Sequence, residues 1–139
     1  MGREAMELRD IISSSKPVRI SPDATVGDAL VSMMENKTDY LLVDRKTPND
    51  AYGIVTRWDV VSGPVAQGLD LMSVSVLDCA RKPLIVLNNL SLDVRWVARK
   101  MDAENASKIA VFDKEDFVGF VSDIDILKAI SKAAKGGAR

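Results

Sequence analysis

The chain has 139 residues, 47% of them apolar and 28% charged, with a formal net charge of −1. That length suits one domain or a compact pair of small repeats, and the composition is that of a globular chain, not a disordered one. The near-neutral charge gives no overall field for nucleic acid or an anionic membrane, and no apolar run approaches the roughly 18–20 residues that span a bilayer.

From the N-terminus, Met1 to Glu7 lack the apolar segment of a signal peptide, and Met6 stands where a myristoylation signal has a hydroxyl. A cytoplasmic location is expected. Met6, Leu8, Ile11 and Ile12 fall at helical spacing, so a short helix is expected over 4–12, ended before Pro17. Val18 to Ile20 reads as a strand. Thr25 then caps a helix whose apolar face is Val26, Ala29, Leu30, Met33 and Met34, with Asp28 at the acid position of a capping box. Tyr40-Leu41-Leu42-Val43, followed by Asp44, is an apolar run suited to a strand buried on both faces. Pro48-Asn49-Asp50 marks a turn, and Ala51 to Val55 returns as the second strand of a hairpin. A helix starts at Thr56 and runs to about Gln67, and Gly63-Pro64 is expected to break or restart it.

The order then repeats. Ser73 to Ala80 is a short helix or turn, Pro83 to Leu87 a strand, and Ser91 the cap of a helix carrying Leu92, Trp96, Val97 and Met101. Met33, Met34 and Met101 read as core or dimer contacts, and Trp96 as core or a helix–helix interface. Ile109 to Phe112, ending at Asp113, matches Tyr40 to Asp44. Phe117 to Val121 is the returning strand, and a last helix runs to about Lys135 with Ile126, Leu127, Ile130 and Ala134 on one face. The chain is therefore a tandem strand–helix–strand–strand–helix repeat over 6–68 and 69–135. Each unit is too small to be comfortable alone, and two units stacking their sheets would share a core.

One cysteine, Cys79, and no histidine exclude an intramolecular disulfide, a Cys/His metal site and a Ser-His-Asp or Cys-His catalytic group. No catalytic residue, metal ligand or required cofactor is expected.

The most specific signal is Gly53-Ile54-Val55-Thr56-Arg57-Trp58-Asp59, which returns as Gly119-Phe120-Val121-Ser122-Asp123-Ile124-Asp125. Both copies read as a strand turning directly into a helix. At such a turn the free backbone N–H groups and a hydroxyl suit a phosphate. A carboxylate in the first helical turn suits a ribose diol, and Ile54 or Phe120 could face a base. Together they describe a nucleotide site. The plainer reading is that Thr56 and Ser122 are helix caps and Asp59 and Asp125 the acids of capping boxes. Capping explains hydroxyl and acid but not the glycine and hydrophobe at fixed distance in both copies.

Those two copies, each preceded by a buried strand ending in aspartate, resemble the CBS domain, and their tandem arrangement resembles the CBS pair, or Bateman module, over about residues 6–135. The resemblance implies an α/β (α+β) fold of two pseudo-symmetric β-α-β-β-α repeats packed through their sheets. It implies a regulatory module without catalysis, pairing as a homodimer and binding an adenosine-containing ligand such as AMP, ADP, ATP or S-adenosylmethionine in clefts between repeats. It further implies a primary cleft of Ser13, Val18, Lys37, Thr38, Ser107, Lys108, Phe120, Ser122 and Asp125. A second cleft would use Ile54, Thr56, Asp59, Leu84 and Ala106, with Cys79. The resemblance puts the residues before the second strand of each repeat near phosphate. Lys108 there favours an anion and Asp39 opposes one, so the Asp125 cleft is expected to be the stronger, with AMP the first candidate. The rival expectation is a scaffolding dimer with empty or S-adenosylmethionine-type clefts. A protein partner fits either, and nucleic acid or membrane neither.

Overall fold

The computed structural model describes residues 6–12 and 16–137. It begins with a short helix α1 (Leu8–Ile11), strand β1 (Arg19–Ile20), helix α2 (Val26–Asn36), hairpin β2 (Tyr40–Val43) and β3 (Gly53–Thr56), and short helix α3 (Arg57–Val60). A π turn (Val61–Val65) and two 3-10 turns (Leu71–Ser73 and Val76–Asp78) follow. Then come β4 (Val86–Leu87), α4 (Val94–Glu104), hairpin β5 (Lys108–Asp113) and β6 (Asp116–Ser122), and the long α5 (Asp123–Gly137). Strand β1 runs parallel to β2, which is antiparallel to β3; β4, β5 and β6 repeat that three-stranded order. The expected mixed α/β repeat is present. Among the described residues, no helix is long and apolar enough to cross a membrane.

Two compact units result. One is the unbroken stretch Pro17–Leu84, and the other joins the N-terminal segment up to Lys16 to the chain from Ile85 onward. In the second unit α1 docks beside α4: the Leu8 N–H donates to the Leu92 carbonyl at 2.8 Å and the Val94 N–H to the Met6 carbonyl at 3.0 Å. In the first unit the 3-10 turn takes the same place. There the Val76 N–H donates to the Ala24 carbonyl at 2.9 Å and the Val26 N–H to the Val74 carbonyl at 2.8 Å. The compact units thus cut the chain differently from the stretches 6–68 and 69–135 in which the pattern repeats.

Each sheet carries its helices on one face. In the continuous unit Leu41, Val43 and Val55 pack with Val26, Ala29, Met33, Val60 and Val76. In the discontinuous unit Ile109, Val111 and Val121 pack with Leu8, Val94, Val97, Met101 and Ile126. The alternate strand residues Leu42 and Ile54, and Ala110 and Phe120, lie outside these clusters yet are buried too. Strand side chains alternate between faces, so the apolar run Tyr40–Val43 is buried on both, as its composition implied.

Several elements depart from the sequence reading. Among the described residues of the expected 4–12, helix α1 holds Leu8–Ile11, and only Val86–Leu87 of Pro83–Leu87 pair as strand. Gly63-Pro64 does not break the chain. Proline offers no N–H, and the helix widens around it, the Ala66 N–H reaching the Val61 carbonyl at 3.0 Å. On α5, Ile126 is buried, with Ala129 packed against the core. Leu127 (60% exposed) and Ile130 (49%) point out instead. Met34 is 71% exposed and Trp96 52%, so neither is a core residue, while Met33 and Met101 are. The Arg99 guanidinium lies 4.5 Å from the centre of the Trp96 ring.

Ser91 is not the cap of α4. Its N–H donates to Asn89 Oδ1 at 3.0 Å and its Oγ accepts from Arg9 at 2.6 Å, so it closes a turn. Asp93 is the cap, accepting from the Arg95 N–H at 2.8 Å. That backbone N–H, and then the Arg95 side chain, hold the Asp93 carboxyl below its ordinary value. Asp93→Ala should therefore lower the midpoint of urea unfolding, and Ser91→Ala should move it less. Equal losses would return the cap to Ser91.

Candidate functional site

Both repeated turns form complete capping boxes. At Ser122 the backbone N–H donates to Asp125 Oδ2 at 2.8 Å and the hydroxyl to the same oxygen at 3.0 Å. The Asp125 N–H returns a bond to Ser122 Oγ at 3.3 Å. At Thr56 the corresponding distances to and from Asp59 are 2.9, 2.9 and 3.2 Å. The capping reading is realised twice. Each box uses Oδ2 of its aspartate, and Oδ1 takes no part in it. The motif glycine has a separate cause. A Cβ on Gly53 would stand 3.0 Å from the Arg81 carbonyl oxygen. That strand edge needs the close approach, because Ile54 and Arg81 exchange two backbone bonds of 2.9 and 2.8 Å.

The register corrects one expectation. Tyr40 lies opposite Thr56, and Lys108 opposite Ser122. The carbonyl of Asp39 accepts from the Arg57 N–H at 2.9 Å, and that of Ser107 from the Asp123 N–H at 2.9 Å. Asp39 is therefore the counterpart of Ser107, and Tyr40 that of Lys108. The expected comparison of Lys108 with Asp39 set unlike positions side by side. The charge contrast keeps its sign, since an acid faces a serine and a tyrosine a lysine.

Each box opens on a cleft within its own unit. In the discontinuous unit, α1 and α5 enclose about 630 Å³ lined by Asp10, Ile11, Asp125, Lys128, Lys132 and others. In the continuous unit, Asp59, Ser62, Gly63, Gln67, Asp78 and Cys79 help to line about 410 Å³. Asp78 lies in the 3-10 turn as Asp10 lies in α1, so the two clefts are built alike. Their charge is not alike. The first sets two lysines beside two aspartates. Among the described residues lining the second, Asp59 and Asp78 are the only charged ones. The residues missed by sequence reading are Asp10, Asp78, Lys128 and Lys132. A signal for the lysines was there: from Asp125, positions 128, 129, 132 and 133 follow the helical repeat along one face.

Of the expected primary set, Ser107, Lys108, Phe120, Ser122 and Asp125 belong to the discontinuous unit, and Val18, Lys37 and Thr38 to the continuous one. Ser13 lies outside the described residues. Ser122 and Phe120 are buried, and Phe120 meets Phe117 edge to face with ring centres 5.4 Å apart. The Val18 carbonyl accepts from the Leu42 N–H at 2.9 Å, extending the β1–β2 pairing. Lys37 ends α2 in the left-handed conformation, and Thr38 donates its hydroxyl to the Tyr40 carbonyl at 3.2 Å. Both line a groove of about 520 Å³ with Asp39 and Arg57. Of the second set, Ile54, Thr56, Asp59, Cys79 and Leu84 belong to the continuous unit, where Asp59 and Cys79 share a cleft. Ala106 belongs to the other unit and follows the α4 cap Asn105 as Thr38 follows Lys37. Among the described residues, no group of three or more acids or cysteines is placed to hold a metal ion.

The CBS domain matches residues 8–65 and 76–132. The chain belongs to the CBS domain family. It is similar to the hexameric CBS-CP12 protein from bloom-forming cyanobacteria, at 32% identity over 91% of this chain and 73% of that one, with a TM-score of 0.81. An uncharacterised conserved protein from Pyrococcus horikoshii shares the fold at 23% identity, over 93% and 94% of the two chains, with a TM-score of 0.76. So does a CBS domain protein from Pyrobaculum aerophilum solved in complex with AMP, at 20% identity over 91% and 99%, with a TM-score of 0.72. No protein of curated function matches the sequence.

The acidic second cleft leaves a mark on its cysteine. Burial, and then the carboxylates of Asp59 and Asp78, push the Cys79 thiol up to about 11. Roughly a thousandth of it is thiolate at pH 8. Alkylation by iodoacetamide should climb about tenfold per pH unit between pH 8 and 10, and Asp59→Asn should speed it. A rate already level at pH 9 would contradict this environment.

Proposed function

We propose that this chain is a regulatory module that binds an adenine nucleotide, AMP foremost with ADP and ATP as alternatives, in the Asp125 cleft. It has no catalysis of its own and works as a cytoplasmic homodimer on a partner protein. The observation carrying this reading is the contrast between two clefts of one design. Lys128 and Lys132 stand beside Asp125 in one, whereas among the described residues lining the other Asp59 and Asp78 are the only charged ones. A phosphate finds two cations to pair with in the first and meets only carboxylates in the second. The fold shared with a protein solved in complex with AMP supports the ligand class. Oδ1 of Asp125, outside the capping box, is the acceptor for a ribose hydroxyl, and Ser107, Lys108 and Ser122 form the phosphate end. Val18, Lys37, Thr38 and Phe120, with Ser13, are further candidate ligand residues that rest on the family resemblance alone. Ile54, Thr56, Asp59, Leu84 and Ala106 form the weaker second site. Bound nucleotide shifts the population between two conformers, by no more than its difference in affinity for them.

The second reading is a scaffolding dimer with empty or S-adenosylmethionine-type clefts. The two closed capping boxes favour it, because they already occupy both hydroxyls.

Thermal unfolding with 1 mM AMP, ADP, ATP or S-adenosylmethionine separates the two. A ligand present at 100 times its dissociation constant stabilises by about 2.7 kcal/mol, and no shift with any of them would sink the sensor reading. By calorimetry well below the melting temperature, Asp125→Ala and the pair Lys128→Ala with Lys132→Ala should each weaken AMP binding about tenfold or more. Asp59→Ala should leave it nearly unchanged. Equal losses from Asp125→Ala and Asp59→Ala would contradict the ranking of the clefts.

A further inference from the structure

Each cleft receives one aspartate from each of two helical turns. In the first these are Asp10 of α1 and Asp125 of α5; in the second they are Asp78 of the 3-10 turn and Asp59 of α3. Asp10 is held there by its helix. Leu8 and Ile11 are buried in the core, and the Arg9 N–H donates to the Leu90 carbonyl at 3.0 Å. The Glu7 N–H donates to Asp10 Oδ2 at 3.0 Å, and Oδ1 takes no part in that bond. Asp10 is exposed, so its carboxylate is open to whatever enters the cleft.

The charges lining this cleft balance, Lys128 and Lys132 against Asp10 and Asp125. Space does not decide which nucleotide enters, because about 630 Å³ falls within the roughly 300–1,000 Å³ of small-molecule sites. Charge does decide. A monophosphate gives the two lysines one anionic group to share. Each further phosphoryl group adds negative charge, and among the described residues lining the cleft there is no third cation to meet it. With Asp125 engaged by the ribose, Asp10 is the carboxylate left to face those groups. An unpaired like charge rejects a ligand that attraction alone would admit. The lysines draw any phosphate, and Asp10 sorts them.

We infer that Asp10 sets the number of phosphates the cleft accepts, admitting a nucleoside monophosphate and opposing the triphosphate. The inference rests on the nucleotide reading of the Asp125 cleft and adds its selectivity. Calorimetric titration of AMP and ATP into the wild-type chain and Asp10→Asn, at low ionic strength and without magnesium, tests it. Asparagine keeps an oxygen to accept from the Glu7 N–H and removes the charge. The wild-type chain should bind AMP more tightly than ATP. Asp10→Asn should raise the affinity for ATP relative to AMP about fivefold or more, and added salt should shrink that gain. Asp102→Asn makes the same change of charge on the exposed side of α4 and should move the ratio less than about twofold. The ratio is independent of the variant's stability, because an unfolded fraction lowers both affinities alike. A wild-type chain that binds ATP as tightly as AMP, or more tightly, would overturn the inference. So would an Asp10→Asn change that alters both affinities by one factor, or an Asp102→Asn change that moves the ratio as far. Binding of neither nucleotide to any of these chains would overturn the nucleotide reading itself, an outcome distinct from binding without selectivity.

Discussion

One carboxylate oxygen at each strand-to-helix junction holds the architecture together. Asp125 Oδ2 takes both the N–H and the hydroxyl of Ser122, at the residue where β6 stops pairing and α5 begins. An N–H at the first turn of a helix has no partner within the helix, and Ser122 is buried. Without the box, that donor would be shut from water and unpaired, which costs about 1–3 kcal/mol. Because the box ties the first turn of the helix to the last residue of the strand, it also fixes the helix in rotation. Ile126 is then turned into the core, and the face bearing Asp125, Lys128 and Lys132 is turned to α1. The same bonds at Thr56 place Val60 in the core and Asp59 in the second cleft. Sheet, helix and cleft therefore follow from one local interaction made twice.

The strands, the hairpins and the duplicated turn were legible because each has a local cause: an apolar run, a Pro-Asn-Asp turn, a hydroxyl three residues before an acid. The register between repeats was not. Matching Asp44 with Asp113 looks natural in sequence, but β2 stops at Val43 opposite Gly53, whereas β5 runs on past Val111 opposite Gly119 to pair Asp113 with Asp116. The terminal acids are therefore not equivalent, and every position counted back from them is displaced by one. The cap of α4 was missed for a related reason. Ser91 and Asp93 are both good caps in isolation, and only the contact of α1 with Ser91 and of Asp93 with the Arg95 N–H decides between them. In sequence the cleft lysines read only as a solvated helix face. Docking of α1 against α5 is what puts them on a wall.

The two halves keep one backbone plan and have diverged in what it carries. Helix α5 runs unbroken over Asp123–Gly137, whereas its counterpart turns from α to π at Val61 because Pro64 cannot donate. That change removes the regular spacing on which a basic row could be mounted. Ser62 and Gly63 line the second cleft where Lys128 and Ala129 line the first. On the outer side of the same helices, the apolar rows are retained while the leading charge is reversed. The inner surfaces thus distinguish the two clefts from each other. The outer rows (Trp58, Val61 and Val65; Ile124, Leu127 and Ile130) differ in the charge of the residue that heads them, Arg57 or Asp123.

The placement of α1 also gives the chain an order of assembly. The unit Pro17–Leu84 is contiguous, so every residue it needs has left the ribosome once Leu84 has emerged. The other unit spans both ends of the chain. Leu8 and Ile11, both buried when it is complete, have nothing of their own to cover them until β5, β6 and α5 have been made. Helix α1 is therefore made before the contiguous unit yet packs only after it, once α5 has been made.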